Sequence, residues 1–215
     1  MKIASKICGI TSWEEIDAAV DGAATYVGFV FFPRSPRNVT LVQAAALVPL
    51  VPDHMEAVAL TVDPDDDLVD AIGAIPGISM FQLHGGETPE RVAEIKQRTG
   101  RLAIKAIKVL EVADLEAAAA YFGVADMLLF DAKPPVEMKN ALPGGNAVSF
   151  DWPILTGRDW PLPWMLSGGL NPDNVVNAIR ISGAPAVDVS SGVERVPGVK
   201  DPDLIRAFLE AVKSV

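Results

Sequence analysis

Cysteine is nearly missing from this chain: of 215 residues, Cys8 is the single thiol. One cysteine cannot close an intrachain disulfide, which agrees with a reducing compartment. Histidine is almost as scarce. His54 and His84 are the whole supply, and neither stands in HExxH or carboxylate-histidine spacing, so no metal site is expected. No apolar run approaches the roughly 20 residues that span a bilayer, so no membrane partner is expected. Met1-Lys2 leads straight into a strand-like segment, without the charged, apolar, small-residue series of a signal peptide, and a cytoplasmic location is expected. Basic residues are also short, 18 against 28 acidic, for a formal net charge of −10. With no basic block and no aromatic-basic interleaving, nucleic acid is not an expected partner. A small anionic substrate stays open, because local amides and one arginine can outweigh a distant net charge.

What the chain does have is hydrophobicity, half of its residues, enough for a substantial core. Its length fits one α/β domain, although length alone leaves two smaller domains open. Short apolar, β-branched runs alternate with helical patterns throughout. The predicted strands are Ile3–Cys8, Tyr26–Phe31, Ala57–Val62, Met80–Leu83, Ala103–Val109, Met127–Asp131, Trp164–Ser167 and Ala186–Ser190. Helices are predicted over Ser12–Val20, Leu41–Leu47, Pro89–Arg98, Val112–Tyr121, Asn174–Ile181 and Pro202–Val212, with weaker units at Pro64–Ala74 and Phe150–Thr156. Ser12 with Glu15 fits a capping box, and Thr88-Pro89 puts proline at a first helical position. Repeated strand-helix order implies parallel pairing with right-handed crossovers. Eight repeats of roughly 25 residues predict a (β/α)₈ TIM barrel. No linker divides it, so residues 1–215 are expected to form one domain, with Leu142–Asn146 as a long loop at the active edge.

Cys8 and Asp131 each stand where an apolar strand gives way to a loop, the edge at which such barrels collect catalytic groups. A thiolate base facing a carboxylic acid moves protons in opposite directions on one substrate. The apolar strand end would raise the Asp131 pKa by desolvation. Lys6 is two residues from Cys8, on the same face of its strand; if that face is the barrel interior, Lys6 would lower the thiol pKa. Ser167-Gly168-Gly169-Leu170-Asn171-Pro172 follows the seventh strand and Asp188-Val189-Ser190-Ser191-Gly192-Val193-Glu194 the eighth. Either glycine segment alone is equally a plain turn. Both together, in the slots where barrels bind phosphate, favour an anion site. Closing the barrel makes the first and eighth strands neighbours, which predicts an internal Lys6–Asp188 ion pair. His84 is taken as a structural or positioning residue.

Seven segments resemble the phosphoribosylanthranilate isomerase family: Lys6-Ile7-Cys8-Gly9-Ile10-Thr11, Gly28-Phe29-Val30-Phe31, Ser35-Pro36-Arg37, Gln82-Leu83-His84-Gly85, Phe150-Asp151-Trp152, and the two glycine segments. They run in order along nearly the whole chain. The resemblance implies a barrel without cofactor acting on N-(5-phosphoribosyl)anthranilate in tryptophan biosynthesis. It implies Cys8 as general base, Asp131 as general acid, and Arg37, Gln82 and Asp188 at the substrate. Gly168, Gly169, Ser190, Ser191 and Gly192 would hold the phosphate. The reaction would be an Amadori rearrangement, with the iminium nitrogen as electron sink, so that no metal or organic cofactor is required. The chain departs from the family pattern in Gly144–Ser149, where Gly-Gly-Thr-Gly is usual, at Asp63, where asparagine is usual, and at Ala132, where a serine often precedes lysine. Two other classes stay open: a different phosphate-binding barrel enzyme, such as an epimerase or related aminoaldose isomerase, and a binding module without turnover. Neither accounts for Cys8, Arg37 and Asp131 together.

Overall fold

The computed structural model describes residues 2–133, 144–145 and 149–215. In chain order the elements are β1 (Ala4–Cys8), α1 (Trp13–Asp21), β2 (Tyr26–Phe31), α2 (Leu41–Leu47), β3 (Glu56–Thr61), α3 (Asp66–Gly73), β4 (Ile78–Leu83), α4 (Pro89–Thr99), β5 (Leu102–Val109), a 3₁₀ helix over Val112–Tyr121, and β6 (Met127–Ala132). A 3₁₀ turn at Trp152–Leu155, β7 (Trp164–Leu166), α5 (Val175–Ser182), β8 (Ala186–Val189), β9 (Glu194–Val196), β10 (Val199–Lys200) and α6 (Pro202–Lys213) complete the order. Strands β1 to β8 form a closed barrel, every neighbouring pair parallel, with β8 returning to β1. Among the described residues no helix is long and apolar enough to cross a membrane.

Each strand alternates between two interiors. Ile7, Val27, Phe29, Ala57, Ala59, Phe81, Leu128, Phe130, Leu166 and Val187 point outward and are buried under the helices. The opposite face fills the barrel with a smaller cluster: Val58, Met80, Ile104, Ala106, Met127, Leu129, Met165 and Ala186. These interdigitate as the layers of a packed barrel core. Toward the C-terminal strand ends the interior turns polar, with Lys6, Gln82, Asp131, Ser167 and Asp188 all buried. That polar layer makes the floor of the site.

Local sequence explains the helix starts. Glu15 reaches back so that its carboxylate accepts from the amides of Thr11 at 2.6 Å and Ser12 at 3.3 Å, the expected capping arrangement. Thr88 accepts from the Arg91 amide ahead of Pro89, and Asp201 accepts from the Asp203 and Leu204 amides ahead of Pro202. Two helical units differ from the expected α form. Val112–Tyr121 is a 3₁₀ helix, whose period of three puts Leu115, Ala118 and Tyr121 in line, and the Tyr121 hydroxyl donates to the Glu87 carbonyl at 2.9 Å. The sixth unit shrinks to one 3₁₀ turn begun by Pro153. The short β9–β10 ladder has no predicted counterpart. Of the expected loop Leu142–Asn146, only Gly144 and Gly145 are described; Leu142, Pro143 and Asn146 lie outside the described residues.

The expected Lys6–Asp188 pair is present, Nζ to Oδ1 at 2.9 Å, in register across the β1–β8 seam. Ser167 donates its hydroxyl to the other carboxylate oxygen at 3.0 Å, so β7 joins the same knot. Lys6 has no exposed surface, and removing its partner leaves a buried charge unanswered. Asp188→Ala is therefore expected to cost about 3–5 kcal/mol in urea unfolding, with Lys6→Met/Asp188→Leu losing much less. An unchanged unfolding midpoint in Asp188→Ala would show that the pair does not hold the seam.

Candidate active site

A cleft of about 740 Å³, counting the solvent at its mouth, opens at the C-terminal ends of the strands. Cys8 ends β1, Gln82 lies near the end of β4, Asp131 near the end of β6, and Asp188 within β8. All four line the cleft, together with Arg37, His84, Ser167, Gly168, Gly169, Ser190 and Ser191. Of the residues expected at the site from sequence, Gly192 alone does not face this space. A Cβ on Gly192 would overlap the Leu170 carbonyl and meet Asn171. Its bare backbone lets the two glycine loops pack against each other, which differs from the expected direct approach to phosphate.

The loop after β7 leaves backbone donors without backbone partners among the described residues. Gly168 and Gly169 adopt left-handed φ values of 92° and 65°, a conformation glycine reaches without cost. Their amides, and that of Leu170, donate to no backbone acceptor among the described residues. Asn174 clamps the loop from below, its side-chain amide donating to the Gly169 carbonyl and its Oδ1 accepting from the Asn171 amide, both at 2.9 Å.

Cys8 sits on the Lys6–Asp188 pair. Gly28, its register partner on β2, keeps the space clear, since a Cβ there would stand 3.0 Å from both Cys8 Sγ and Lys6 Nζ. Burial pushes the Cys8 thiol up; the Lys6 ammonium pulls it down, and Asp188 pushes it up again, leaving the net direction upward from 9.0. Sequence reasoning expected Lys6 to win. Lys6 does pull the thiol down, but burial outweighs it and Asp188 adds to the upward push; Asp188 and Cys8 in turn raise the Lys6 pKa in spite of burial, so Lys6 stays an ammonium.

Asp131 departs from expectation in the opposite sense. Burial does push its carboxyl up, but the contacts with His84, the Lys108 ammonium and the Ala132 amide outweigh burial, and the net direction is downward from 3.8. His84 Nε2 donates to Asp131 Oδ2 at 3.0 Å, while Gln82 Nε2 donates to His84 Nδ1 at 2.9 Å and so fixes which ring nitrogen carries the proton. Burial and the nearby Lys108 charge push the imidazole below 6.5, so it is neutral at pH 7. Lys108 Nζ is 3.6 Å from Asp131 Oδ2, on the strand position paired with Asp131 across β5–β6. Strand register places both residues toward the cleft, since His84 follows β4 directly and Lys108 lies two residues beyond the inward-facing Ala106, but it does not give the contacts themselves. Asp63, at φ 46°, accepts from the Gly86 amide at 2.7 Å. An aspartate thereby braces the loop after His84 where asparagine is usual in the family.

Arg37 is held below the mouth by Glu194, Nε to Oε1 at 2.7 Å and Nη2 to Oε2 at 2.9 Å, and donates to the Gly145 carbonyl at 3.3 Å. Among the described residues no three His, Cys, Asp or Glu side chains gather as a metal site would require.

Fold and site together define a (β/α)₈-barrel enzyme with a thiol, a carboxyl, a guanidinium and two glycine-bearing loops around one cleft. A model of the N-(5'-phosphoribosyl)anthranilate (PRA) isomerase family matches residues 5–211, and the chain belongs to that family. The N-(5'-phosphoribosyl)anthranilate isomerase of Paramagnetospirillum magneticum is 57% identical over 214 residues, spanning 99% of this chain and 98% of that protein. Its counterpart from Paracoccus denitrificans is 54% identical over 97% of this chain and 96% of its own length. In structure, the phosphoribosyl anthranilate isomerase of Thermotoga maritima superposes with a TM-score of 0.87 at 36% identity, covering 99% of this chain and 100% of that one. A phosphoribosyl anthranilate isomerase in complex with reduced 1-(o-carboxyphenylamino)-1-deoxyribulose 5-phosphate superposes with a TM-score of 0.85 at 33% identity, covering 99% and 100%.

With one cysteine, a thiolate absorbance titration read against Cys8→Ala reports a single group. Cys8 is expected to ionise above pH 9.0 in the free protein, and at lower pH in Asp188→Asn, where the nearest anion is gone. A Cys8 already ionised at neutral pH would contradict the assignment of the pair's charges.

Proposed function

We propose that this protein converts N-(5'-phosphoribosyl)anthranilate into 1-(2-carboxyphenylamino)-1-deoxyribulose 5-phosphate, a step of tryptophan biosynthesis, by general acid-base catalysis within one domain, residues 1–215, in the cytoplasm. The observation that carries the mechanism is the single cleft lined by Cys8, Asp131 and Arg37 together with both glycine loops. In this scheme Asp131 protonates the furanose ring oxygen. The C1–O bond breaks, and the nitrogen lone pair forms the C1=N iminium. Cys8 takes the proton from C2, and the C–H electrons form the C1=C2 bond while neutralising the nitrogen. Tautomerisation of this enolamine, by loss of the C2 hydroxyl proton and gain of one at C1, gives the ketone. Gly168, Gly169, Ser190 and Ser191 bind the phosphate, Gly192 keeps their loops together, and Arg37 receives the anthranilate carboxylate. Gln82 acts on substrate through His84 and Asp131, and Asp188 through Lys6 and Cys8.

The pair starts from an inverted protonation state, since burial favours the Cys8 thiol and the His84 and Lys108 contacts favour the Asp131 carboxylate. Thiol–carboxylate and thiolate–acid forms carry the same number of protons. Their ratio does not change with pH between the two pKa values, so the active fraction is constant there. Activity is lost at low pH only when Asp131 binds a second proton for the pair, below its ordinary range, and at high pH only when Cys8 loses one, above its ordinary range. Once the cationic iminium forms, it stabilises the thiolate electrostatically.

A fluorescence assay following loss of freshly prepared phosphoribosylanthranilate tests the activity. Cys8→Ala and Asp131→Asn are each expected to lower kcat by at least ~10²-fold with smaller effects on substrate affinity. Near-normal turnover in either variant rejects that residue's role. The kcat/KM profile of the unaltered enzyme is expected to be flat through neutrality, once the substrate phosphate's own ionisation near about 6 is divided out. A limb of the profile belonging to Cys8 near neutrality would instead mean that Lys6 controls the thiol.

A further inference from the structure

Glu194 is a buried carboxylate that the acid-base scheme does not use. It ends the loop after β8, opens β9, and is 4% exposed at its side chain. It accepts four hydrogen bonds. Oε1 takes Arg37 Nε and Lys200 Nζ, both at 2.7 Å, and Oε2 takes Arg37 Nη2 at 2.9 Å and the Gly198 amide at 3.2 Å. Lys200 is fully buried, and its ammonium also donates to the Ser190 carbonyl at 2.9 Å and to the Ser190 hydroxyl at 3.3 Å. Ser190 faces the cleft beside the glycine loops.

This arrangement is directional. The Nε–Nη2 edge of the Arg37 guanidinium is spent on Glu194, and the remaining Nη2 hydrogen is aimed at the Gly145 carbonyl at 3.3 Å. Nη1 meets no acceptor among the described residues, and Arg37 lines the cleft. The hairpin carrying Glu194 is itself docked on the Arg37 loop: Gly198 turns it at φ 86°, and a Cβ there would strike the Pro36 carbonyl. On the other side of Arg37, Gly9 leaves room for the arginine's methylenes, against which a Cβ would press. Two cations share one carboxylate, so the cluster keeps one net positive charge for an incoming anion. Burial pushes the Glu194 carboxyl up, but Arg37 and Lys200 outweigh it and hold it below its usual range, and so ionised.

We propose that Glu194 is the positioning residue of the substrate-carboxylate subsite: it fixes the Arg37 fork so that Nη1 faces the ligand, and ties that fork through Lys200 to the loop after β8. This rests on Arg37 receiving the carboxylate, as set out under the proposed function. Glu194 touches no substrate; it acts through Arg37. An arginine free to rotate would lose entropy on binding that the preset fork has already given up. The interaction is remote from the reacting carbons and present throughout the reaction, so its loss raises KM more than it lowers kcat.

The test is a double-mutant cycle on Arg37→Ala and Glu194→Gln. Dissociation constants are measured for two ligands: reduced 1-(o-carboxyphenylamino)-1-deoxyribulose 5-phosphate and the same compound lacking the ring carboxylate. In Glu194→Gln the amide oxygen is held at the Oε1 position by two donors, so the change turns one acceptor of Arg37 Nη2 into a donor. Expected is a loss of at least ~10-fold for the carboxylate ligand, little change for the ligand without it, and no further loss when Arg37→Ala is already present. KM is expected to rise more than kcat falls. Should the glutamine variant fold poorly, Glu194→Asp keeps the charge but is one methylene short of the fork, and the same ligand-selective loss is expected. If Arg37→Ala weakens both ligands equally, the carboxylate role of Arg37 is wrong. If Arg37→Ala discriminates between them but both Glu194 variants leave discrimination intact, or add to Arg37→Ala independently, Arg37 keeps its role and Glu194 loses the one assigned to it.

Discussion

The buried ion pair between Lys6 and Asp188 is the interaction on which the site depends. It stands at the seam where the last strand meets the first, and a barrel needs that seam to be unambiguous: a slip of one residue would turn every side chain of a strand to the other face. Two charges inside an apolar barrel are costly unless they face each other, so a register that separates them is disfavoured by far more than one lost hydrogen bond. The same pair supports the chemistry above it. Cys8 is the next inward residue after Lys6; burial holds its proton on, and the Lys6 ammonium below it pulls the other way. Structure at the seam and protonation at the mouth are one electrostatic problem.

A second balance holds on the opposite wall. Asp131 is kept anionic by His84 and Lys108, as Cys8 is kept neutral by burial. Under the proposed scheme, a pair poised this way would need the reacting sugar, and the positive charge that ring opening creates, to reach the productive arrangement. Groups whose environments drive their pKa values apart are a common signature of acid-base sites. Here the separation runs against the forward roles. In the proposed scheme it matches the state after C2 deprotonation, when Cys8 would hold the proton and Asp131 would have given its own away. At the rim, Glu194 and Lys200 hold Arg37 and Ser190 as Gln82 and His84 hold Asp131, so each group with a proposed role is fixed by a hydrogen-bonding neighbour.

Much of this was legible in the sequence. Strand order, barrel closure and the inward direction of Lys6, Cys8 and Asp188 followed from a period of two along strands and from the pairing of the first and eighth. The Gly168-Gly169 pair after the seventh strand and Ser190-Ser191-Gly192 after the eighth were the sequence signal for the proposed anion site. What was not legible came from contacts distant along the chain. Nothing in Gln82-Leu83-His84 reveals that His84 reaches Asp131, 47 residues away, so the net direction of the Asp131 pKa was out of reach. Val112–Tyr121 has α-helical composition but is drawn into a 3₁₀ helix by tertiary packing. Glu194–Lys200 has too few residues for a strand signal, and its hairpin forms because Glu194 gathers donors from Arg37, Lys200 and Gly198. Gly192 was expected at the phosphate; in the structure its lack of a side chain serves the contact with Leu170.

The most direct measurement is a crystal structure of this protein with the reduced product analogue bound in the cleft. Expected is Cys8 Sγ within about 3.5 Å of the carbon derived from C2, on one face of the ligand, with the Asp131 carboxyl at the oxygen released from the ring on the other face. Cys8 and Asp131 on the same face of the ligand, or Cys8 separated from that carbon by an intervening side chain, would contradict it.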